Sequence, residues 1–169
     1  MSNRITYYLP VWAALLDDHG RVLFHFLVWP GGYGFLLDCE ALHAEELVEH
    51  LRPQCAPAWI TVSIDDDLAV HYRAYSGDGA ASDPRHRTLG QRWIQKTSPD
   101  DESADERWKA CRLSLGIAEG RSELGFGELS WLQCNAFELK GVALDGHDFQ
   151  GRASLLACPP SYSGYRNES

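Results

Sequence analysis

The residues best suited to chemistry are His71 and Arg73, at alternate positions of a predicted strand, with Tyr75 on the same face and Thr61 expected opposite them. An imidazole beside hydroxyls and a guanidinium can move protons on an anionic substrate. The same residues also suit the polar outer face of a half-buried hairpin. A second constellation is His43, Glu46 and His50 at i, i+3 and i+7, which one helical face would present together. Imidazole and carboxylate suit zinc or iron. That spacing matches no established metal motif, however, and Glu46 and His50 also make an ordinary i,i+4 pair. His43-Ala44-Glu45 repeats the H-x-E half of the zinc deaminase signature. Neither Cys55 nor Cys158 has a second cysteine three residues on, so that reading fails. Asp65, Asp66 and Asp67 offer carboxylates to a hard cation but lack the EF-hand pattern with its bidentate Glu. They read first as turn residues. No metal or other cofactor is expected.

Nucleophile and phosphate signatures are missing: there is no G-x-S-x-G, Walker A, G-x-G-x-x-G or H-E-x-x-H. Charge is more informative. Residues 36–67 hold eight acids and one base, and residues 97–128 hold eight acids and four bases, while 68–96 hold two acids and five bases. An acidic surface repels nucleic acid and anionic lipid and attracts basic protein. The expected function is therefore a protein-binding module, an inhibitor, immunity protein or antitoxin that occludes the site of a basic partner such as a toxin or a nucleotide-acting enzyme. Its contact residues would be Asp65, Asp66, Asp67, Glu45, Glu46, Glu49, Asp100, Asp101 and Glu102. Direct nucleic-acid and membrane binding are not expected; a homo-oligomer is compatible with the chain. The alternatives are a small enzyme or ligand-binding domain, with a site at His71, Arg73 and the 76–88 loop, and a structural or adaptor subunit.

The elements that would position these groups form an α+β fold, mainly antiparallel sheet, with two principal helices near 40–51 and 103–115. An N-terminal meander runs through strands at 5–16, 21–29 and 33–37, where Val22, Phe24, Phe26 and Val28 share a core face and His25 lies on the opposite, still apolar, face. Asp38 is expected to cap the first helix, whose stripe is Ala41, Ala44, Leu47, Val48 and Leu51, and Arg52-Pro53 to stop it. Alternation over 60–64 and 68–72 predicts a hairpin at 59–75, its three-residue acidic tip pairing Ile64 with Leu68. Ser103 and Glu106 fit a capping box for the second helix, with Ala104, Trp108, Cys111 and Leu115 buried. Strands are expected near 130–134, 137–144 and 152–158. The five-residue echo of Leu139-Lys140-Gly141 at Leu144 and Phe149 is read as two strands joined around 145–151.

The 169 residues suit one domain over 1–169, with a flexible loop at 76–88 and a polar tail at 160–169. Six Trp, seven Tyr and six Phe supply a core, and five cysteines without a C-x-x-C pair read as reduced thiols of a cytoplasmic protein. The apolar 7–16 stretch contains Pro10 and lacks a signal-peptide cleavage site.

Overall fold

Val22–Pro30 is the organising strand. It is rich in β-branched and aromatic residues and is covered on both faces. A computed structural model describes residues 10–32, 34–55, 59–75, 77 and 79–142 of the chain. In it, β1 (Val11–Leu16), β2 (Val22–Pro30) and β3 (Phe35–Cys39) form an antiparallel sheet in that order, with Val11 opposite Val28 and Phe26 opposite Cys39. The β1–β2 turn is closed by Asp17, whose carboxylate accepts from the backbone N–H of His19 (2.9 Å) and Arg21 (2.8 Å).

One face of this sheet packs Phe24 and Phe26 against Leu47 of α1 (Ala44–Cys55). The other packs Trp12, Leu27 and Trp29 against Leu124, Trp131, Cys134 and Ala136. Val22, expected with Phe24, belongs to this second cluster. The pairing shifts register between Leu15 and Leu16, and a one-residue slip sends a side chain to the opposite face.

The α+β class with two principal helices holds, while several boundaries change. A 3₁₀ turn at Ala41–His43 precedes α1, and Asp38 is not its cap, because its carboxylate is taken by Arg92 at 2.7 Å. The helix also runs through Pro53 to Cys55 rather than stopping at Arg52. Proline there costs one donor near a helix end, where few intrahelical bonds remain to lose.

The larger correction is the hairpin at 59–75. Residues 60–65 form no strand, and β4 (Leu68–Arg73) pairs instead with β6 (Gln91–Lys96), which also takes β5 (Ala81–Ser82) on its other edge. Strand β6 sets Trp93 opposite His71 and Arg92 opposite Tyr72, and the rings of His71 and Trp93 stack at 5.5 Å and 16°. Such cross-strand pairs outweigh the local alternation of 60–64. Ile60 and Ile64 are left exposed, and Trp59 is 95% exposed.

Helix α2 (Asp105–Ser114) lies where expected and sets Trp108 against Tyr72. A short helix α3 (Arg121–Leu124) follows. The expected strands at 130–134 and 137–142 are turns, with one isolated bridge between Arg21 and Ser130. Trp131 and Ala136 nevertheless bury themselves against β1 and β2. The strand predicted at 152–158, the end of the one at 137–144 and the junction at 145–151 lie outside the described residues. None of the described helices is long and apolar enough to cross a membrane.

Candidate functional site

Five charged side chains from both sheets and the loops between them meet around Trp108. Asp38 lies near the end of β3, Asp83 and Arg85 follow β5, Arg92 lies on β6 and Glu119 follows α2. Arg85, 1% exposed, clasps Asp83 through two bonds (Nε to Oδ1 at 3.0 Å, Nη2 to Oδ2 at 2.8 Å) and reaches Glu119 Oε2 through Nη1 at 2.7 Å. Arg92 bonds Asp38 at 2.7 Å and lies 3.8 Å from Asp83. The guanidinium carbons of Arg92 and Arg85 stand 4.6 and 5.5 Å from the Trp108 ring centroid, and the Trp108 indole N–H donates to Glu119 Oε1 at 3.2 Å. Planar guanidinium groups suit both fork-like pairing with carboxylate and stacking on indole.

The site holds three carboxylates and two guanidinium groups, and its electrostatics follow from that imbalance. Burial pushes the carboxyl of Asp38 up, with Arg92 opposing. Burial would also raise Glu119, but the charges of Arg85 and Arg92 outweigh it and hold this carboxyl at about 2. His25, on β2 beside the cluster, is pushed down by enclosure despite the nearby Glu119, and its Nε2 accepts the Gly120 N–H at 2.8 Å. A neutral imidazole is the form able to accept that bond.

A pH prediction follows with a definite sign. Folded His25 resists a proton that the unfolded chain accepts near its ordinary 6.5, so stability should fall as pH drops below that value. Glu119 adds a second loss between its ordinary 4.5 and about 2, while Asp38, which binds its proton more readily when folded, opposes both. Urea midpoints measured from pH 7.5 to 5 should decline, and the decline should flatten in His25→Gln, which keeps an acceptor without a titrating ring. An equal slope in that variant contradicts the assignment.

The structure scatters the residues singled out from the sequence. Asp65, Asp66 and Asp67 form an exposed turn in which Asp65 accepts from the Asp67 N–H at 3.1 Å and Asp67 lies 3.7 Å from Lys96. The turn holding Asp100, Asp101 and Glu102 approaches the same sheet. Thr97 donates to the Asp67 carbonyl, and Asp101 lies 4.0 Å from His71 Nε2. Glu45 and Glu49 are exposed on α1, and Glu46 pairs with Arg121 at 2.8 Å.

That pairing also occupies the carboxylate of the His43, Glu46 and His50 trio. His50 uses Nδ1 on the Glu46 backbone carbonyl at 2.9 Å, and no group of three or more metal-ligating side chains stands together among the described residues. His71 and Arg73 remain neighbours along β4, Arg73 donating from Nε to Gln91 at 2.7 Å, but Thr61 is not opposite because its strand does not form. The described part of the 76–88 loop carries β5 and the buried Asp83 and Arg85.

In the sequence, Arg85, His86 and Arg87 are a short basic run that gives no sign of a buried pair; in the structure only Arg85 is buried, and His86 and Arg87 face solvent. One usable signal was Leu89, an apolar residue inside that polar stretch and fully buried.

No protein-family model matches the chain. It is similar to the iron–sulfur cluster assembly factor IBA57 homolog, mitochondrial, of Pyricularia oryzae, with 27% identity over 146 residues. The match takes in 73% of this chain and 36% of that protein, so the chain spans about a third of the relative's length. This likeness overturns the inhibitor, immunity-protein or antitoxin function expected from the acidic blocks. Clustered carboxylates set which surfaces a protein attracts, and charge alone does not specify a function.

Proposed function

We propose that this chain takes part in iron–sulfur cluster assembly, with clusters as the cargo of the system it serves. The likeness to the Pyricularia oryzae assembly factor, spread over 73% of the chain, carries this reading. The buried cluster of Asp38, Asp83, Arg85, Arg92 and Glu119 is the scaffold that holds the two sheets together, through the Arg92–Asp38 pair, and presents their outer surfaces. Burial raises the thiols of Cys39 and, to about 11, of Cys134. The four described cysteines are free thiols, which fits a reducing compartment. We place this chain in the cytoplasm, whereas the name of its relative places that protein in mitochondria.

Removal of the chain from its native cell should lower the specific activity of iron–sulfur enzymes while their polypeptide levels and iron-independent enzymes are unchanged. Re-expression should restore it. Undiminished iron–sulfur enzyme activity without the chain overturns the proposal.

A further inference from the structure

We infer that two copies of this chain associate through the outer edge of β4, the two β4 strands running antiparallel about a two-fold axis at Val70. The second sheet has the order β4-β6-β5, so among the described residues β4 has a strand on one side only. A strand edge leaves backbone N–H and C=O groups open to pairing, and proteins commonly blunt it with proline, a bulge, charge or brevity. Strand β5, the other edge of this sheet, is two residues long. Strand β4 lacks these defences. It runs for six residues in unbroken register with β6, holds no proline, and carries no acid and one guanidinium, Arg73, at its end. Val70, inside the strand, is 39% exposed.

The chain's own candidate for this edge is residues 60–64, and the turn that follows them works against it. The Leu68 N–H donates to the Asp65 carbonyl at 3.4 Å, leaving Asp66 and Asp67 as a two-residue loop. A hairpin continued from that turn would set Ile64 opposite Ala69 and Val62 opposite His71, placing apolar side chains on the face of His71 and Arg73. No backbone hydrogen bond joins 60–64 to β4 among the described residues. A strand from a second molecule is free of this turn and can take the register that matches faces.

Charge decides which strand that is. If residues 60–64 were exchanged between copies, with Ile64 opposite Leu68, the two-fold axis would fall at Asp66. Asp65, Asp66 and Asp67 of one copy would then face the same three of the other, and like charges directly opposed are unfavourable. Pairing β4 with β4 about Val70 opposes Leu68 to Tyr72, Val70 to Val70 and Asp67 to Arg73. These are aliphatic with aromatic, apolar with apolar and acid with base, the combinations that stabilise neighbouring strands. Main-chain hydrogen bonds across the seam join the two sheets into one, as in strand addition generally.

The test combines sedimentation velocity of the full chain at rising concentration with amide hydrogen exchange at the two ends of that range. Sedimentation should show a monomer–dimer equilibrium. As the dimer fills, exchange should slow at the outward-facing amides of Leu68–Arg73 and stay unchanged at 60–64. Val70→Lys sets two ammonium groups against each other on the axis and should weaken association about tenfold or more, while its thermal melting stays that of a folded chain. A monomer at every concentration overturns the inference. So does a dimer whose β4 amides exchange as fast as the monomer's, or one that also protects 60–64, which is the mark of strand exchange. Undiminished association of folded Val70→Lys overturns it as well. If Val70→Lys does not fold, the exchange pattern of the unaltered chain decides: slowing confined to β4 supports the inference, and any other pattern overturns it.

Discussion

Arg85→Leu should cost about 3–5 kcal/mol of folding stability at neutral pH, the range for removing one member of a buried ion pair. Arg85 answers Asp83 and Glu119 together, and without it two carboxylates lose their closest positive charge inside the protein. Burial alone pushes Glu119 upward, so this acid should take up a proton in the variant, and the loss should shrink as pH falls. Arg85→Lys should rescue little, because an ammonium cannot make the two-bond clasp on Asp83 or stack over Trp108. Asp83→Asn with Glu119→Gln in the Arg85→Leu background should recover part of the loss by removing the stranded charges. Urea unfolding checks each variant, and a loss below about 1 kcal/mol, the size of an ordinary surface change, contradicts the role given to Arg85.

Gly90→Ala should be comparably harmful for a different reason. Gly90 has φ +82° and ψ −148°, a region that glycine alone occupies readily. A Cβ there would meet the Arg73 carbonyl oxygen, with the Ala74 Cα only 3.0 Å away. The same residue accepts the Asp83 N–H at 3.0 Å, so it ties the start of β6 to the charged cluster. Backbone strain of about 1–3 kcal/mol and overpacking of about 1–3 kcal/mol should add. Gly79→Ala offers a positive-φ comparison without the clash, since φ is +83° but nothing lies within 4 Å of the new methyl group. Thermal melting of the pair should show a clearly lower midpoint for Gly90→Ala; equal midpoints would remove the steric part of the account.

Legibility in the sequence tracked how local each interaction is. The β2 strand, α2 and the two-faced burial of the first sheet follow from periodicity, because each side-chain pattern is met by a broad apolar surface whatever its detailed partner. The 59–75 hairpin failed for the opposite reason. Alternation in 60–64 was good, yet β4 had a better partner twenty or more residues away in Trp93 and Arg92, and no local pattern reports a stack between His71 and Trp93. Asp38 misled in the same way: it is an N-cap residue by type, and Arg92, 54 positions along the chain, claims it. The charged cluster joins residues 38, 83, 85, 92 and 119, and pairing at that separation becomes visible only once the sheets are assembled. Acidity drew attention to Asp65–Asp67 and Asp100–Glu102, where the carboxylates face water. The acids that organise the interior are single residues in unremarkable contexts.

The central claim, a part in iron–sulfur cluster assembly, is tested most directly by radioactive iron. Cells with and without the chain would be labelled, and a tagged iron–sulfur protein recovered and counted per unit of polypeptide. The account predicts less iron in that protein when the chain is missing and recovery when it is supplied again. Equal iron per polypeptide in both cells, with total iron uptake also equal, would contradict it.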